Sequence, residues 1–245
     1  MLFEQTIDKL NQMRLFGMVS ELDRQLKTND IAELSFNERF SLIVDTEAIS
    51  RENRRLKRLL AQAHLRENAC IEDIDFRADR GLDKGFILSL ASCSWIEKHL
   101  NAIIIGPTGA GKTFIACALG NASCRCSYSA IYYRASRLLN ELKMARADGS
   151  FAKLLNKLAK VDLLLIDDWG LAPLTDLERR DILEILEDRY KVRSTIMVSQ
   201  IPVDRWHDVI ADPTIADAIL DRIVHNSYKI NVEGDSMRKL KNNLD

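Results

Sequence analysis

Two hydrophobic rhythms divide this chain. From Leu2 to about Ala69, apolar side chains recur at helical spacing, with no strand-like alternation and a single glycine, Gly17. Beyond it, short β-rich runs at 102–105, 130–134, 161–166, 195–198 and 228–232 alternate with helical patterns. The run from Leu163 to Ile166 is continuously apolar, as a strand covered on both faces should be. Strand alternating with helix predicts a parallel sheet. Two S/T-x-x-E boxes, Ser35 with Glu38 and Thr175 with Glu178, predict helix starts, because each side chain can satisfy an amide that the helix leaves open. The hinge is expected between 70 and 80, where acids and bases mix without periodicity.

Composition narrows the class. The chain has 245 residues, 47% hydrophobic and 29% charged, enough for one sizeable core and a smaller accessory unit. A net charge of −1 gives no global reason to expect nucleic acid, so such a partner must be argued from local charge. Cysteines at 70, 93, 117, 124 and 126 are odd in number and form no C-x-x-C pair, which argues against a zinc site or a disulfide framework. Glu4 and Asp8 stand where a signal peptide needs a basic and then an apolar region, and no apolar run reaches membrane-spanning length. The expected location is cytoplasmic, with no membrane partner.

One stretch carries specific chemistry. In AIIIGPTGAGKT an apolar strand candidate ends at Gly106, and Pro107, Thr108, Gly109, Ala110, Gly111, Lys112 and Thr113 complete the G-x-x-x-x-G-K-[ST] spacing of a P-loop. Glycines let backbone amides turn inward onto phosphate, the following helix presents its positive end, Lys112 supplies charge, and Thr113 offers a hydroxyl to Mg2+. A second strand candidate then provides the carboxylates, in VDLLLIDDWG. Asp167 is expected to hold the metal, and Asp168 to orient or deprotonate the attacking water. Asn156 and Lys157 lack the aspartate of an N-K-x-D guanine signature, so ATP is the expected nucleotide.

GPTGAGKT, LLLIDDWG, EILEDRY, TIMVSQIPVDRWH, ADAILDRIVH and GDSMRK together resemble the IstB family, transposition-helper ATPases of the AAA+ superclass related to DnaC helicase loaders. The resemblance implies a P-loop parallel sheet with helices on both faces, a helical N-terminal domain over 1–70, an ATPase core over 71–245, and no full C-terminal lid. Gln200 resembles the first sensor, with Ser199 as fallback, and Arg238 the second sensor. Arg222 resembles an arginine finger that completes the nucleotide site of a neighbouring subunit, which implies a homo-oligomer with ATP at its interfaces. Asp168 departs from the glutamate usual in the superclass; its shorter side chain predicts slow hydrolysis. The family's partners would be duplex DNA, held without sequence preference, and the transposase of the same element. A DnaC-like loader is the nearest alternative, and a P-loop small-molecule kinase or a scaffold that binds ATP without hydrolysing it are others.

Local charge supports a DNA partner. Between Arg51 and Arg66, six basic residues face one acid, and Arg51, Arg54, Arg55 and Arg58 share one helical face. From Arg134 to Lys160, seven basic residues face two acids; Arg137, Lys143 and Arg146 lie in the region that, in related initiators and loaders, forms a helical insert along the DNA path. Such contacts imply salt-sensitive binding to phosphates.

Overall fold

The structure, a computed structural model, describes residues 2–28, 33–77, 80–234 and 237. It divides into two compact units, Met1–Arg58 and Leu59–Asp245.

The first unit is helical: α1 (Leu2–Gln12), α2 (Phe16–Lys27) and most of α3 (Phe36–Ala63). The Ser35 box forms, with the Ser35 amide donating to Glu38 at 2.8 Å. Gly17 is a packing requirement, since a Cβ there would stand 2.6 Å from the Glu47 Cα. This close approach lets the buried Glu47 carboxylate accept from the Gly17 amide at 2.7 Å and the Met18 amide at 3.3 Å, near the start of α2. Arg51 and Arg54 bind the same carboxylate, at 2.7 and 3.2 Å. Burial pushes the Glu47 pKa up, but the hydrogen bonds from Arg51, Gly17 and Met18 outweigh it and hold the carboxyl below its ordinary value.

The second unit is built on five parallel strands, β1 (Asn101–Ile105), β2 (Ala130–Arg134), β3 (Leu163–Trp169), β4 (Ser194–Ser199) and β5 (Ser227–Asn231), in the order β2-β3-β4-β1-β5. Short α4 (Lys84–Ala91) and α5 (Ser94–Glu97) precede β1. Helix α6 (Lys112–Arg125) follows β1; α7 (Ala135–Asp148) and α8 (Phe151–Lys160) link β2 to β3. Helix α9 (Asp176–Arg189) leads to β4, and α10 (Trp206–Ile210) and α11 (Pro213–Val224) lead to β5. Alternation along β3 explains the two-sided burial: Leu164 and Ile166 join the core under α7 to α11, while Leu165 faces Gly120 of α6.

The central strand outruns its apolar segment. The sequence predicts β3 to end at Ile166, yet it continues through both aspartates to Trp169, with an irregular register against β4 between Ile166 and Trp169. Trp169 explains the extension, since it is buried edge-on to Trp206 at 5.9 Å. After β5, the described residues are 232, 233, 234 and 237, so Arg238 lies outside them.

Candidate functional site

The loop between β1 and α6 is shaped by its glycines. Gly109 and Gly111 have φ of 84° and 93°, a region that disfavours a Cβ. Gly106 is required by crowding: the Val232 amide bonds the Ile105 carbonyl at 2.7 Å, and a Cβ on Gly106 would fall 2.0 Å from the Val232 carbonyl oxygen. The loop delivers Gly111 as the N-cap of α6, a fourteen-residue helix whose first-turn amides and dipole favour an anion. Lys112 Nζ donates to the Pro107 carbonyl at 2.7 Å, arching over the loop. Burial lowers its pKa, and Asp167 and Asp168 oppose that shift.

Thr113 and Asp167 meet across the sheet: the Thr113 hydroxyl donates to Asp167 Oδ2 at 2.8 Å. The Tyr132 hydroxyl, from β2, donates to the same oxygen at 2.7 Å. Burial raises the Tyr132 pKa, and Asp167 raises it further, so the phenol stays protonated as a donor. A hydroxyl and a carboxylate only 1% exposed form an all-oxygen pair suited to a hard divalent cation beside phosphates. Thr113 and Asp167 would hold Mg2+, which when bound supplies charge to the phosphate oxygens.

Asp168 follows in left-handed conformation, φ 58°, its amide bonded to Asp167 Oδ1 at 2.8 Å. The turn sends successive carboxylates in different directions. Asp168 Oδ2 lies 3.8 Å from Arg134 Nε and 4.0 Å from Arg66 Nη1. Gln200 reaches the cradle from the end of β4, accepting the Thr108 hydroxyl proton through Oε1. Ser199 instead holds the fold: it donates to the Trp169 carbonyl at 2.9 Å and accepts from the Ile201 amide at 3.0 Å.

Arg222 is placed elsewhere. Its carbonyl accepts from Asn101 Nδ2 at 3.1 Å, which puts it at the start of β1, whereas the cradle leaves the strand's other end. At about 3.3 Å per residue the separation is roughly 13 Å along the strand. The guanidinium pairs with Glu187 and bonds the Ala218 carbonyl, and its side chain is 23% exposed.

All seven basic candidates are exposed: Arg137, Lys143 and Arg146 on α7, and Arg51, Arg54, Arg55 and Arg58 on α3. Arg146 pairs with the buried Asp181 and stacks on Phe151 at 3.6 Å, while Arg51 and Arg54 share Glu47. Sequence reading missed two other groups at the site. Tyr132 looks like any strand aromatic, and only the folded sheet brings its hydroxyl to Asp167. Arg80 sits in an aperiodic segment, yet it is 5% exposed and its Nη1 donates to the Ala110 carbonyl at 3.4 Å. Burial lowers the Arg80 pKa, with Asp75 opposing.

A glycine-hinged phosphate loop, a hydroxyl bonded to a buried carboxylate behind it and a parallel 2-3-4-1-5 sheet define a P-loop nucleoside triphosphatase. The chain belongs to the family described as IstB-like ATP binding protein, whose family model matches residues 8–244. It is 46% identical over 239 residues to a putative insertion sequence ATP-binding protein of Sinorhizobium fredii, covering 98% of each chain. It is 48% identical over 203 residues to the putative ATP-binding protein of insertion sequence IS1162 from Pseudomonas fluorescens, covering 82% of this chain and 88% of that one. In fold it is similar to DnaI, with a TM-score of 0.59 at 21% identity over 67% of this chain and 91% of that one.

Proposed function

We propose that this protein hydrolyses ATP at a site shared between subunits, and that the assembly it forms on duplex DNA serves the transposase of its own insertion element. The cradle from Gly106 to Thr113 holds the phosphates, with Lys112 as their counter-charge. Thr113 and Asp167 hold Mg2+, Asp168 orients the attacking water, and Gln200, beside Thr108, senses the terminal phosphate. Arg238 is assigned to the second sensor by family resemblance alone.

The observation that carries the reading is the position of Arg222. It is held at the opposite end of β1 from its own cradle, partly exposed, by Asn101, Glu187 and Ala218. A guanidinium placed there is remote from its own nucleotide and available to a neighbour's, where its rigid fork suits a transferring phosphoryl group. ATP then joins subunits and hydrolysis separates them. Arg51, Arg54, Arg55, Arg58, Arg137, Lys143 and Arg146 supply the phosphate contacts to DNA. The helical region 1–70 supplies partner and DNA contacts to the ATPase region 71–245.

Electron microscopy of the full chain with duplex DNA, with and without ATP, tests this directly. Rings or filaments that need ATP and disappear in Lys112→Ala and Arg222→Ala are expected; monomers in every condition would overturn the shared site. Affinity capture with the element's transposase and, separately, a replicative helicase distinguishes the transposition role from a loader role.

A further inference from the structure

Two guanidiniums beside Asp168 have no part in the site as assigned above, and the fold takes some trouble to bring one of them there. Gly120 lies in the middle of α6. A Cβ at that position would stand 2.9 Å from Leu65 Cδ2 and 3.2 Å from Leu165 Cδ2. Its absence lets the segment after α3 lie on α6, where the Cys117 thiol meets the backbone of Arg66 and Glu67. Arg66 is thereby carried to the ends of β2 and β3, beside the Tyr132 hydroxyl. Arg134 reaches the same place by another route, as the last residue of β2, in register with Asp167.

Both converge on one oxygen, Asp168 Oδ2, at 4.0 and 3.8 Å. Those distances are too long for hydrogen bonds, so the attraction to Asp168 is electrostatic: Arg66 bonds the Tyr132 hydroxyl, and neither fork grips the Asp168 carboxylate. Lys112, Arg66 and Arg134 outnumber the two aspartates by one; a third carboxylate, Glu67, stands 3.9 Å from Arg66 Nε and is half-exposed. A clamp built to immobilise Asp168 would show short, bidentate contacts; a seat built for a larger, more highly charged anion would look as this one does.

We propose that Arg66 and Arg134 form a cis-acting seat for the terminal phosphate of a nucleoside triphosphate. The preference for triphosphate over diphosphate is then set partly within one chain, before any neighbour lends Arg222. This rests on the ATPase reading of the cradle. Arg66 gives the segment after α3 a direct sense of which nucleotide is bound.

The test is equilibrium titration of the dilute full-length protein, without DNA, with Mg-ADP and with a non-hydrolysable triphosphate, AMPPNP. Arg66→Ala should lose about tenfold in affinity for AMPPNP, the worth of one charge-assisted contact, and stay within about twofold for ADP. Arg134→Ala should behave likewise, and Arg66→Lys should recover part of the loss because it keeps the charge without the fork. Equal losses for both nucleotides would reduce Arg66 to a structural residue. An unchanged ratio with faster hydrolysis would make the pair a restraint on Asp168 instead, and either result overturns the seat. Should Arg66→Ala fail to fold, Arg134→Ala and Arg66→Lys carry the same comparison. Native protein that binds neither nucleotide would remove the cradle reading itself, a failure separable from the others.

Discussion

Glu47 in the helical unit and Arg189 in the ATPase unit are buried charges satisfied in opposite ways. In the first, a carboxylate sits inside: Glu47 is the acceptor around which α2 and α3 meet, while Phe3, Met13, Phe16, Phe36 and Phe40 are exposed. In the second, the interior is a sheet of isoleucine, leucine and valine, and the interior cation Arg189 is satisfied by the carbonyls of Leu158, Val161 and Ser194. Burial pushes the Arg189 pKa down to about 9, the opposite direction to what ion pairing with a near carboxylate would give. A unit ordered by buried polar contacts, at Glu47 and at Glu21 with Gln25, that shows aromatic side chains to solvent is sensitive to single changes. A unit with a continuous apolar core can spend its charged residues at the strand ends, where chemistry happens.

The sharpest way to break that contrast is at the cradle. Lys112→Ala should abolish nucleotide binding and hydrolysis, a loss of more than about a hundredfold, while leaving the apolar core and its melting temperature nearly unchanged. A large fall in melting temperature would show that the lysine also serves the fold.

Arg222→Ala should lower DNA-stimulated hydrolysis by about a thousandfold, within the range for a lent guanidinium, with AMPPNP affinity largely kept. Mixing it with Lys112→Ala protein should restore part of the activity, since one partner supplies an intact cradle and the other an intact finger. No restoration in mixed assemblies would place the cation's role within its own chain.

Gly17→Ala should disrupt the helical unit alone, costing about 1–3 kcal/mol because the added methyl meets backbone rather than a movable side chain. Two-step thermal melting with an unchanged second step is the signature. A related effect follows from acid. Glu47 is held below its ordinary value of 4.5, so its contribution is complete above about pH 4.5 and is lost as pH falls through the lower native value. The helical unit should therefore lose structure in that window, and Glu47→Gln should be less stable at neutral pH and less sensitive to acid.

The smallest effect separates the basic residues. Lys143→Ala should weaken DNA binding a few-fold and reduce the salt slope by about one counterion. Arg146→Ala, which loses its pairing with Asp181 and its stacking on Phe151, should cost stability as well. If both variants lower only DNA affinity, the internal contacts of Arg146 matter less than its charge.

Much of the ATPase unit was legible because its signals are local. A glycine-rich turn after an apolar run, a carboxylate pair after another and a T-x-x-E box each carry their meaning within ten residues, and the five strands lie where the β-rich runs predicted. What stayed hidden depends on contacts between distant segments. Asp168 turns left-handed within a strand that continues to a tryptophan packed on another tryptophan, and no local pattern announces either feature. Counting basic residues treated Arg51, Arg54, Arg66 and Arg134 as one kind of thing. Folding sorts them: two neutralise Glu47 and two approach Asp168. Tyr132 and Arg80 were invisible for the same reason, since a buried polar contact is specified by its partner's location and not by its own neighbours.

Asn101 has a consequence for any assembly of this chain. Its amide ties the Thr195 backbone on one side and the Arg222 carbonyl on the other, at 2.9 and 3.1 Å, and the strand it begins runs straight into the phosphate loop. One five-residue strand thus acts as a ruler. The separation between Arg222 and the phosphate loop within one chain is set by backbone length, and side-chain rotation alone could adjust it very little.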